Sequence, residues 1–125
     1  MTFQKILPHL DDLGMSYGSV VAWSELRKAG SVTSASVMVP CPWYRYVVEE
    51  WHKDPNQDLG IHLTLTSEWA NYRWGPITKS KNGIIDCDGY FHNRPEQVLK
   101  YADPKAVENE IYAQIDRVLS DGIKP

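Results

Sequence analysis

The chain has 125 residues, 42% of them hydrophobic, and a formal net charge of -3. That is enough apolar material for one domain over residues 1–125 with its own core. No Lys/Arg run exists, which argues against nucleic acid or an anionic membrane as partner. No apolar stretch nears the roughly 18 residues of a membrane span.

The opening "MTFQKILPHLDD" lacks the charged-then-apolar pattern of a signal peptide, so a cytoplasmic protein is expected. Residues 2–10 read as a first strand, ending beside the adjacent carboxylates Asp11 and Asp12. Gly14, Ser16 and Gly18 then turn the chain. Ser16 reads as an N-cap, and Val20, Val21, Trp23, Leu26 and Ala29 mark a helix ending at Gly30. "SVTSASVMVP", residues 31–40, is small and β-branched and reads as a second strand. Pro42 opens a second helix through Trp43, Tyr46, Val47, Glu50 and Trp51. "DLGIHLTLT", residues 58–66, reads as a third strand.

Residues 67–83 are aromatic and irregular. Asp88-Gly89, between apolar pairs, signals a tight hairpin over 84–92. Asp103-Pro104 caps a last helix over 104–120, whose stripe is Val107, Ile111, Ile115, Val118 and Leu119. Strand alternating with helix predicts a parallel α/β sheet with right-handed crossovers.

In "DLGIHLTLT", Leu59, Ile61, Leu63 and Leu65 share one face, and Gly60, His62, Thr64 and Thr66 the other. A lone histidine there is most often a hydrogen-bonded core residue. Asp11 and Asp12 close another strand of the same sheet, however, and functional groups of parallel α/β folds collect at the carboxyl ends of strands. Asp12 and His62 can therefore meet. A carboxylate with an imidazole suits zinc, manganese, cobalt or nickel, whereas magnesium favours carboxylate and water. Two charged carboxylates at the end of a buried strand need water, a cation or a proton-transfer task to compensate them.

"HLDDLGMSYG", "GSVTSASVMVPCPW", "DLGIHLTLTSEW", "YRWGP" and "DCDGYFHN" follow in the order and spacing of YdjC-like carbohydrate deacetylases, which the whole chain resembles. The resemblance implies a partial (β/α) barrel of the polysaccharide-deacetylase-like type, with about three parallel strands, flanking helices and a small hairpin. It implies Asp11 as the general base, Asp12 and His62 as metal ligands, and magnesium or zinc as the divalent ion. The reaction implied is removal of an acetyl group from an N-acetylated amino sugar or oligosaccharide. Val20 departs from the asparagine that often opens the first helix in the family. Family chains are longer, and their third metal ligand lies in an Asp-Ser-His segment following a helix like 105–120. Enzymatic turnover is therefore set against an alternative, a non-catalytic remnant that binds sugar or a partner.

Glu68, Trp69, Tyr72, Arg73 and Trp74 form either a sugar-binding wall or ordinary loop packing. His9 is a candidate to hydrogen-bond near the site. His52 reads as solvated and His92 as structural or solvent-facing. Cys41 and Cys87 are too far apart for a CxxC and read as free thiols; with His52 and His92 their spacing matches no closed zinc site. "GSVTSAS" is not a G-x-S-x-G elbow, which argues against a serine hydrolase. An open sheet edge and the stripe of the last helix predict a homodimer.

Overall fold

The computed structural model describes residues 4–125. Three parallel strands, β1 (His9–Leu13), β2 (Ser34–Val37) and β3 (Asp58–Ile61), form one sheet in the order β1-β2-β3. Helix α1 (Tyr17–Lys28) joins β1 to β2 and α2 (Tyr44–His52) joins β2 to β3. Helices α3 (Pro95–Tyr101) and α4 (Pro104–Ser120) follow a long irregular segment. No helix among the described residues is long and apolar enough to cross a membrane.

The first strand begins later than expected. Residues 2 and 3 of the anticipated strand lie outside the described residues, and Gln4–Pro8 are exposed and outside the sheet. Pro8 has no N–H to give to a ladder, so pairing starts after it. Asp11 and Asp12 thus lie within β1 rather than beyond its end.

The core follows from alternation. Leu10, Ala35, Val37, Leu59 and Ile61 face α1 and α2, where Val20, Trp23, Val47, Val48 and Trp51 complete a cluster closed by Val118 and Ile123. Ser16 caps α1, with its side chain and that of Ser19 each accepting from the other's backbone N–H. A second cluster, Met38, Cys41, Trp74, Ile84 and Phe91, lies under the irregular segment. Gly83 is required there: at φ +71, a Cβ would collide with the carbonyl of Tyr101.

Three further expectations are corrected. The third strand stops at Ile61, so the alternation reverses: Leu63 is 47% exposed and Thr64 only 4%. The hairpin is a single antiparallel bridge, Ile85 with Phe91, and Asp86 rather than Asp88 builds its turn by accepting from the N–H groups of Asp88 and Tyr90. On α4 the buried face is Ala106, Glu110, Gln114 and Val118, which shares only Val118 with the expected apolar stripe. Of that stripe, Val107 and Val118 pack within this chain and Leu119 is half-exposed. The stripe behind the expected homodimer is thus partly engaged already.

Candidate active site

The site lies on the sheet face opposite α1 and α2. His9 on β1 pairs with Ser34 on β2, Leu10 with Ala35, and Leu13 with Val37. Between them two residues, Asp11 and Asp12, stand opposite one, Ser36. This is a β-bulge. Strict alternation would aim the two carboxylates to opposite faces, which would bury one of them among Leu13 and Val37. Asp12 instead adopts φ 57, a left-handed conformation that aspartate tolerates better than most residues. Its carboxylate therefore comes round toward His62, which follows β3 and donates its backbone N–H to Val37.

Asp12 Oδ1 is 3.6 Å from His62 Nε2. Asp11 Oδ1 is 3.7 Å from His62 Nδ1. Ser36 lies beneath them, 9% exposed; its hydroxyl donates to Asp11 Oδ1 at 3.0 Å and is 3.2 Å from His62 Nδ1. His9 joins the same group: Nε2 is 3.3 Å from both Ser36 Oγ and Asp11 Oδ1, and Nδ1 is 2.6 Å from Ser34 Oγ. One proton arrangement satisfies every contact except that of His62 Nε2 with Asp12. Ser34 donates to His9 Nδ1, His9 Nε2–H points at Asp11 and Ser36, and His62 Nδ1–H is accepted by Ser36. The Nε2 lone pair of His62 is left facing Asp12.

Ser34 and Ser36 complete the cluster that the sequence points to in Asp11, Asp12 and His62, with His9 as a hydrogen-bonding neighbour. The period-2 spacing of Ser34 and Ser36 in a strand of otherwise apolar residues is the signal that could have found them.

A recess of about 210 Å³ opens over this cluster, lined by Asp12, Met15, His62, Thr64, Glu68 and Trp69 among others. Glu68 and Trp69 are exposed and form its rim. Tyr72 donates its hydroxyl to Met15 O at 2.7 Å and, with Trp43, borders an adjoining apolar recess. The other two members of the expected wall are engaged elsewhere. Arg73 is 17% exposed, ion-paired to Asp86 at 2.7 Å and donating to Phe91 O. Trp74 is 3% exposed, its indole N–H donating to Thr66 O, and it offers no open face. Burial chiefly, with the charges of Asp12 and Glu68, pushes the Cys41 thiol up to about 12.

Among the described residues there is no group of three or more His, Cys, Asp or Glu side chains placed to hold a metal ion. The donor set of Asp12 and His62 nonetheless suits one. Two ligands about 2.1 Å from a tetrahedral ion stand about 3.4 Å apart, close to the 3.6 Å observed.

The sequence profile described as YdjC-like protein matches residues 5–125. The chain belongs to the YdjC-like family. A carbohydrate deacetylase of Listeria monocytogenes is 34% identical over 122 residues, covering 95% of this YdjC-like chain and 47% of the relative. One from Thermus thermophilus is 36% identical over 110 residues, covering 88% and 37%. A crystal structure from Enterococcus faecalis, of a protein provisionally assigned to cellobiose-phosphate cleavage, superposes with a TM-score of 0.81 at 26% identity, covering 95% of this chain and 45% of that one. The chain spans about half the length of the relatives it matches, or less.

Proposed function

We propose that this chain carries part of the catalytic site of a metal-dependent carbohydrate deacetylase acting on an N-acetylated amino sugar or oligosaccharide. The observation that supports it is the convergence of Asp11, Asp12 and His62 on one sheet face through the bulge. The names of the Listeria and Thermus relatives support the substrate class.

In this reading Asp12 and His62 hold a divalent cation, zinc or magnesium. When bound, such an ion polarises an amide carbonyl and acidifies water. Asp11 is the base that takes the proton of the attacking water. Hydrogen bonds from Ser36 and His9 hold its carboxylate in place. Ser36 also occupies His62 Nδ1, which keeps Nε2 available as a ligand. Trp69 offers an exposed aromatic face beside the reacting group, and Glu68 a hydrogen-bond acceptor at the rim. Water attack on the amide releases acetate and leaves the free amine, which takes up a proton.

A second reading, sugar or partner binding without turnover, stands beside it because no group of three or more His, Cys, Asp or Glu side chains among the described residues is placed to hold a metal ion. Acetate release from N-acetylglucosamine oligosaccharides, measured with added Zn²⁺ or Mg²⁺, separates the two. Metal-dependent release that Asp11→Asn abolishes supports the first. Sugar binding without acetate release supports the second.

A further inference from the structure

The segment after His62 leaves the sheet, yet Thr64 is 4% exposed and its backbone polar groups need partners. They find them in one side chain. Gln114 of α4 accepts from Thr64 N at 3.0 Å and donates to Thr64 O at 2.8 Å. Its amide thus stands where a fourth strand would offer a carbonyl and an N–H. The second Nε2 hydrogen goes to Glu110 Oε1 at 2.9 Å, which fixes which way round the amide lies.

Glu110 is fully buried and takes three more hydrogen bonds, from Ile77 N at 3.1 Å, Thr78 N at 3.0 Å and Thr78 Oγ1 at 2.7 Å. A buried carboxylate with four donors is compensated only in this arrangement. Neither residue touches the candidate site. Between them, however, they grip the chain on both sides of the segment carrying Glu68, Trp69 and Tyr72. Thr64 also donates its hydroxyl to His62 O at 2.7 Å, so the grip passes directly to the histidine.

We infer that Glu110 and Gln114 are positioning residues: the pair sets His62 and the rim segment after it in register with Asp11 and Asp12. An apolar stripe on α4 would suffice to pack the helix, and would leave the backbone of Thr64 unpartnered. The consequence for metal binding rests on the reading of His62 as a ligand; the positioning itself does not.

The test uses the 125-residue chain. Gln114→Met keeps the length of the side chain and removes all three hydrogen bonds. Amide exchange at Thr64 is expected to quicken by at least about 10-fold, the scale set by losing a buried hydrogen bond, relative to Met38, whose N–H bonds Leu13 O. Affinity for Zn²⁺, measured by calorimetry, is expected to fall about 10-fold, as when a group supporting a ligand is lost. Val118→Ala weakens the packing of the same helix without touching Thr64, and is expected to leave Zn²⁺ affinity unchanged. Glu110→Gln is expected to quicken exchange at Ile77 and Thr78 selectively.

A folded Gln114→Met protein with Thr64 exchange and the His62 ring signals unchanged overturns the inference. So does a Val118→Ala variant that loses Zn²⁺ affinity equally. If Gln114→Met does not fold, Glu110→Gln decides: unchanged exchange at Ile77 and Thr78 overturns it. If the wild-type chain binds no Zn²⁺, the reading of the pair as a zinc site fails. The exchange and ring signals then decide the positioning alone.

Discussion

Asp12 and His62 are not on neighbouring strands, because β2 runs between β1 and β3, yet their Oδ1 and Nε2 atoms stand 3.6 Å apart. The bulge at Asp11-Asp12 and the left-handed backbone of Asp12 bring them together. Charge and backbone can be separated by substitution. Asp12→Asn keeps a residue that tolerates positive φ and should melt within about 0.5 kcal/mol of wild type while losing divalent-ion binding. Asp12→Ala should lose binding and also about 1 kcal/mol of stability. Urea denaturation and calorimetric metal titration read the two effects. Equal stability of the two variants would show that the left-handed turn costs nothing here.

Much of this site was legible before the structure. The adjacent carboxylates, the histidine and the parallel order follow from strand and turn composition, and α1 and α4 begin at the caps their sequences advertise. The bulge was not legible. Period-2 reasoning assumes an unbroken ladder, and nothing in "HLDDL" marks where two residues will oppose one. Helix α3 was missed because its seven residues bury only Val98. The inward face of α4 was misassigned because Glu110 and Gln114 count as polar in any periodicity. Their burial depends on backbone groups of Thr64, Ile77 and Thr78, distant in sequence.

Asp121, at the end of α4, ties that helix to α2. Tyr44 donates to it at 2.8 Å, Arg45 at 2.8 Å and Arg117 at 2.9 Å. Burial acts to raise its pKa, but the hydrogen bonds from Tyr44 and Arg117 and the arginine charges outweigh burial and hold it below the usual carboxylate range. A depressed folded-state pKa contributes stability above the unfolded value, about 3.9, which is lost as pH falls through the folded value. Asp121→Asn should therefore be less stable than wild type at pH 7, with the gap narrowing below about pH 4. Urea midpoints at pH 7 and pH 3 check this. A constant gap would mean that the carboxylate charge contributes nothing.

The two cysteines should differ sharply in reactivity. Cys41 is buried and its thiol is pushed up to about 12, so almost no thiolate is present at neutral pH. Cys87 is exposed in the hairpin. A thiol-specific chromogenic disulfide at pH 8 should label one cysteine per chain quickly and the second only in denaturant. Peptide mapping should place the fast label on Cys87. Rapid double labelling under native conditions would show that the second core opens easily.

Trp69 and Trp74 lie in one loop and meet opposite environments: Trp69 is 56% exposed over the recess that holds Asp12 and His62, and Trp74 is 3% exposed in the second core. Trp74→Ala leaves a cavity beside Ile84 and Phe91 and orphans the Thr66 carbonyl, so it should cost about 3–5 kcal/mol. Trp69→Ala removes only surface contact and should change stability by less than about 0.5 kcal/mol. Its effect should fall on ligand binding. An aromatic face contributing about 1 kcal/mol to a sugar contact corresponds to roughly fivefold weaker affinity once removed. Thermal melts and a titration with N-acetylglucosamine oligosaccharides, followed by tryptophan fluorescence, measure both quantities on the same samples. If Trp69→Ala binds the sugar as tightly as wild type, the rim of the recess is not a sugar-binding wall, and its aromatic face needs another explanation.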